Sequence, residues 1–111
     1  MKNLLLILVI AFVTLSFKQK ETKEVIIKTS AECNMCKERI EEKLNYTKGI
    51  NYVNLEVSTK LLTVKYKTDK ITLEKIKEII SNLGYDADDV KANVESLEKL
   101  PNCCKPSGMK H

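Results

Sequence analysis

Two runs in which apolar and polar residues alternate, Tyr52–Val57 and Leu61–Tyr66, are separated only by Ser58-Thr59-Lys60. Successive side chains of an extended chain point to opposite faces. Val53, Leu55 and Val57 therefore share one face, and Leu62, Val64 and Tyr66 share one face on the return. So short a turn predicts an antiparallel hairpin. A hairpin with one apolar face is marginal by itself and must be covered. The cover lies on either side in the chain. From Asn34 to about Tyr46, Cys36, Ile40 and Leu44 recur every fourth residue, while Lys37, Glu38, Glu41, Glu42 and Lys43 fall on other faces and read as solvated. Lys48-Gly49 is the expected stop. Thr72 is expected to cap a second helix with the stripe Leu73, Ile76, Ile79, Ile80 and Leu83, ended by Gly84.

Glu24–Thr29 reads as a first strand with Val25 and Ile27 on one face. The order strand, helix, strand, strand, helix has one economical solution. A right-handed crossover makes the first two strands parallel, and the third returns between them. Both helices then cover one sheet face and leave the other to water. The expected fold class is α+β, a ferredoxin-like βαββαβ sandwich. Its last strand must come from Tyr85-Asp86-Ala87-Asp88-Asp89-Val90, where three aspartates disfavour a ladder, so a short or irregular fourth strand is expected. Asn93 can cap a brief helix over Val94–Leu100, which Pro101 ends, giving a C-terminal helical tail.

The chain thus divides into 1–17, 18–23, 24–90 and 91–111. Leu4 to Phe17 is apolar and follows a basic start, and it is shorter than the roughly 20 residues a spanning helix needs. A secretory signal peptide is expected, with Thr14-Leu15-Ser16 as the small-x-small approximation to a cleavage site and an uncleaved membrane anchor as the alternative. No cysteine follows closely enough to accept a lipid. The expected location is periplasmic or secreted. Residues 18–23 read as a polar linker, 24–90 as the domain and 91–111 as an extension carrying Cys-Cys. The net charge of +4 is spread as lysines among acidic residues, without a basic block or interleaved aromatics, which argues against a nucleic-acid partner.

Between the first strand and the first helix stands Cys33-Asn34-Met35-Cys36. Two thiols at this spacing can close on one soft ion or on each other. Free N–H groups at a helix start and the positive end of the helix dipole are expected to lower their pKa values. Metal binding and thiol–disulfide exchange both remain open on this ground. Exchange is disfavoured by the lack of Trp, by the lack of Pro or Gly between the cysteines, and by the confinement of prolines to Pro101 and Pro106. A third reading has the cysteine pairs clip the tail to the domain. An adjacent Cys103–Cys104 bridge would be strained, so these two either supplement the metal site or stand as exposed bystanders. Met35 reads as a core or solvent-facing side chain, and His111 as uninvolved.

With strand–Cys33-x-x-Cys36–helix, the hairpin and Gly84-Tyr85 after the second helix, the stretch from Glu24 to Val90 resembles the heavy-metal-associated domain family, and the leader makes it most similar to small exported mercury-binding members. The resemblance implies a non-enzymatic carrier or scavenger, a monomer, whose Cys33 and Cys36 hold one soft cation. Cu(I) or Hg(II) stands ahead of Zn(II), with a membrane metal transporter or P-type ATPase as partner. It also implies that Tyr85 lies at the cysteine end of the sheet, either shielding the site or as an ordinary half-buried aromatic. Two positions depart from the family pattern. Ala31 stands where a methionine usually packs under the loop, so a looser loop is expected. Glu32 replaces a common threonine and could add an oxygen ligand, which would favour Zn(II) over two-coordinate Cu(I).

Overall fold

The computed structural model describes residues 21–105. Strand β3 (Leu61–Lys67) lies between β1 (Thr22–Lys28) and β2 (Ile50–Glu56) and is antiparallel to both, so β1 and β2 run parallel. The register sets Ile27 and Leu55 on either side of Leu62, and Val25 and Val53 on either side of Val64. These rows form one apolar face, on which Ile27, Leu55, Leu62, Val64 and Tyr66 are buried. The opposite face meets water, where Ile26 is 60% exposed. β1 begins inside the expected linker, because Thr22 and Lys23 pair with Lys67 and Tyr66. Backbone pairing extends an edge strand whether or not its side chains are apolar.

Helix α1 (Asn34–Asn45) buries Cys36, Ile40 and Leu44, and α2 (Leu73–Asn82) buries Ile76 and Ile80. Thr72 Oγ1 accepts the Lys75 N–H at 3.1 Å, the expected cap. The charged side of α1 is not all solvated. Glu41 Oε2 accepts the Leu55 N–H at 2.7 Å, and Lys37 Nζ donates to Leu55 O at 2.8 Å and to Glu41 at 2.6 Å. This pair supplies partners to backbone groups on the outer edge of β2 and ties the cysteine-bearing helix to the sheet.

Among the described residues, the place of a fourth strand is held by isolated bridges, Thr29 with Ala87 and Ala87 with Val90. The aspartates explain this, since their carboxylates capture N–H groups of the surrounding chain in place of a continuous ladder. Asp88, at φ +53°, donates its N–H to Lys28 O and accepts the Lys28 N–H on Oδ1, both at 2.8 Å. Asp86 Oδ1 accepts the Ala92 N–H at 2.9 Å. The chain then returns across the end of α2. Ser81 Oγ donates to Lys91 O at 2.7 Å, and Asn93 Oδ1 caps α3 (Val94–Glu98) through the Ser96 N–H at 3.1 Å. α3 ends before Leu100, which is buried, and a single 3-10 turn (Asn102–Cys104) follows Pro101. Gly84 makes the approach feasible. At φ +105°, a Cβ there would stand 3.0 Å from Ser96 O and 3.1 Å from the Leu100 side chain.

No helix among the described residues is long and apolar enough to cross a membrane. The expected signal segment and His111 lie outside those residues.

Candidate metal centre

The loop from β1 to α1 is fastened to the start of β3. Thr29 N–H and Thr29 Oγ1 both donate to Lys60 O at 2.9 Å, and Thr29 Oγ1 accepts the Ala31 N–H at 3.2 Å. Ala31 is fully buried, so a short side chain at this position sits within the core beneath a well-tied loop. Cys33 is the N-cap of α1 and Cys36 lies in its first turn, which brings their sulfurs to 2.9 Å. Cys33 is half-buried and Cys36 is fully buried.

The folded-back tail adds two more sulfurs. Cys104 is fully buried with its Sγ 3.5 Å from that of Cys33. Cys103 is exposed, its Sγ 3.9 Å from Cys104 Sγ and 3.9 Å from Met35 Sδ. All four cysteines are free thiols, and the Sγ atoms of Cys33, Cys103 and Cys104 lie within 4.8 Å of one another. Glu32 is not in that group; its carboxylate is ion-paired with Lys60 Nζ at 3.3 Å. Met35, expected to be core or solvent-facing, is 46% exposed and presents its thioether to Cys103. A shallow concavity of about 410 Å³ lined by Arg39, Glu42, Lys43, Tyr46 and Leu83 contains none of the sulfurs.

Tyr85 is fully buried, and its hydroxyl makes no hydrogen bond. Burial first, then the neighbouring Cys104 and Cys36 thiols, push its pKa far above the usual phenol value. It is a neutral donor facing sulfur. Sequence reasoning left its burial open, because one aromatic after a helix carries no periodicity. The tail's return was one of the alternatives the sequence left open, and the structure brings Cys104 to Cys33 with Leu97 and Leu100, three residues apart, packed on the core.

Burial opposes ionisation of Cys33, but hydrogen bonds from the Cys36 side chain and backbone, then from Cys104 and Cys103, outweigh it and lower the pKa from 9.0 to about 7. Burial and the competing Cys36 and Cys33 thiols raise that of Cys104. The Cys103 thiol is also raised, chiefly by its interaction with Cys33. One thiolate is thus stabilised by its neighbours' S–H groups. Alkylation of the native protein by iodoacetamide, mapped by mass spectrometry, is expected to modify Cys33 first. Its rate should climb through about pH 7 and level off above it, because the thiolate is the nucleophile. A midpoint near 9 would contradict this arrangement.

A model of the "Heavy-metal-associated domain" matches residues 21–86. The chain belongs to the heavy-metal-associated domain family. Among curated relatives of this family member is a probable copper-exporting P-type ATPase of Archaeoglobus fulgidus, 26% identical over 80% of this chain and 12% of that protein. The copper chaperone CopZ of Staphylococcus epidermidis is 28% identical over 59% of this chain and 96% of the chaperone. The chain therefore spans only a small part of the pump but nearly all of the chaperone. The crystal structure of oxidized MerP from Ralstonia metallidurans superposes with a TM-score of 0.58 at 17% identity, covering 61% of this chain and 96% of that one. At that identity the likeness bears on the fold alone, and it supports the ferredoxin-like assignment.

The family is one of heavy-metal-binding, chaperone-like domains, and in this member strand, loop and helix set two thiols side by side at the end of the sheet.

Proposed function

We propose that this protein carries one soft metal ion outside the cytoplasm, gripping it with Cys33 and Cys36 and handing it to a membrane metal transporter or P-type ATPase. The reading rests above all on the 2.9 Å approach of the two thiols at the start of α1, one of them with a pKa near 7. Soft thiolates select Cu(I) and Hg(II), and ion-pairing of Glu32 with Lys60 supports placing these ahead of Zn(II), which favours added oxygen or nitrogen ligands. Similarity to a copper chaperone over nearly its full length supports a carrier of copper without catalytic turnover. The apolar leader supports export, by cleavage or as an anchor. A monomer suffices, since both thiols come from one chain.

The test is titration of the full-length protein with Cu(I), in a phosphine reductant and against a chromophoric Cu(I) chelator. The wild type is expected to withdraw one equivalent, and Cys33→Ser/Cys36→Ser to withdraw none. Unchanged binding by the double variant would remove the carrier assignment. Sustained turnover by the wild type in a thiol–disulfide exchange assay would move these cysteines to a redox role.

A further inference from the structure

The carrier reading needs only Cys33 and Cys36, yet the fold spends its last described turn bringing two more thiols to them. Cys104 is not carried by a loose end. Leu100 is buried ahead of it, α3 docks where Gly84 lacks a Cβ, and the Cys104 N–H is held by Pro101 O at 2.8 Å. Its sulfur is as fully buried as that of Cys36.

The spacings have a chemical reading. Metal–thiolate bonds near 2.3 Å place sulfurs about 3.8 Å apart around a tetrahedral ion and about 4.0 Å apart around a trigonal one. Cys33 to Cys104 measures 3.5 Å and Cys103 to Cys104 3.9 Å. The Cys33–Cys36 pair, at 2.9 Å, must open to hold an ion between its sulfurs. The tail therefore supplies the spacings that come nearest to a site of three or more sulfurs. Tyr85 is the independent witness. Its hydroxyl is buried beside the Cys104 and Cys36 sulfurs without making a well-formed hydrogen bond, an arrangement that disfavours the metal-free state. The side chains acting on it are Cys104 and Cys36, and ionised sulfur is a stronger acceptor than a thiol.

We propose that Cys103 and Cys104 form the second half of the metal site, closing an open two-thiolate site into one where Cys33, Cys103 and Cys104 jointly hold a soft d10 cation. Resting on the carrier reading, this makes the tail a clasp: the ion is retained while the tail is docked and handed on when it swings away. Each thiol that becomes a ligand gives its proton to solvent, and no oxidation step is involved.

The experiment loads full-length protein with one equivalent of Cu(I) and reads sulfur coordination by X-ray absorption and affinity by chelator competition. The wild type is expected to show three sulfurs. Cys103→Ala/Cys104→Ala is expected to keep one ion on two sulfurs, with affinity lower by at least the tenfold to hundredfold typical of losing even an outer-shell partner. Cys103→Ser, at an exposed position, leaves the packing intact and must also weaken binding. Should the double variant unfold by circular dichroism, this single variant decides. Two sulfurs in the wild type, or wild-type affinity in Cys103→Ser, would overturn the clasp while leaving the carrier reading intact. Wild-type binding by Cys33→Ser/Cys36→Ser would defeat the carrier reading instead.

Discussion

Tyr85→Ala is expected to cost about 3–5 kcal/mol of folding stability, the usual range for emptying a fully buried aromatic site. Tyr85→Phe is expected to have the opposite sign in the metal-free protein. It keeps the ring in the core and removes a hydroxyl that is buried without a partner, a gain of up to about 1–3 kcal/mol. With Cu(I) bound, the sign should reverse. The metal-linked thiolate of Cys104 offers the phenol a charge-assisted acceptor that phenylalanine cannot use, worth roughly 1.5–3 kcal/mol. Urea unfolding with and without one equivalent of Cu(I) measures both. A Phe variant that is less stable in both states would show that the hydroxyl already has a satisfactory partner in the metal-free protein. The core position of the ring would then be its whole contribution.

The second large effect is expected at Gly84. Alanine at φ +105° holds the backbone in a sparsely populated region, costing roughly 1–3 kcal/mol. Its Cβ would also press to 3.0 Å of Ser96 O and 3.1 Å of Leu100, an overpacking of similar cost. The cheapest relief moves α3 away from α2, so Gly84→Ala is expected to release the tail before it unfolds the sheet. Cys104, buried in the wild type, should then become open to alkylation under conditions where Ile40 and its core neighbours still resist hydrogen exchange. Copper affinity should fall toward that of Cys103→Ala/Cys104→Ala. If Cys104 stays protected while global stability drops, the glycine supports the domain as a whole and has no special hold on the tail.

If the tail acts as the proposed clasp, control of metal retention lies in the joint between α2 and the tail, away from the two cysteines the family motif supplies. A carrier faces opposing demands. Few ligands allow fast transfer, and more ligands prevent loss to competitors. A docked segment bearing its own thiols answers both if docking is weak enough to be reversed by a partner. α3 has only 5 residues and no fully buried side chain of its own, so its attachment depends on the half-buried Leu97, on Leu100 and Cys104, and on the Ser81 hydrogen bonds. Such a contact can open without disturbing the β-sheet, whose register is fixed by facing apolar rows.

The sequence alone determined what depends on neighbours within a turn or a strand. The period-two runs of β2 and β3, the fourfold spacing of Cys36, Ile40 and Leu44, the Thr72 and Asn93 caps and the stop at Gly84 are set by local geometry and local hydrogen bonding. The Cys33-x-x-Cys36 junction is local too, because a helix start alone brings residues three apart to the same place. Tertiary structure decided the rest. Cys104 lies 71 residues from Cys33 in the chain, and their sulfurs meet only because Gly84 admits the tail and the aspartates after α2 turn the chain there instead of extending it as an edge strand. Lys37 and Glu41 look like ordinary surface charges until β2 presents the Leu55 backbone to them. Contacts of that kind arise from the summed packing of whole elements, which no short-range pattern of residues encodes.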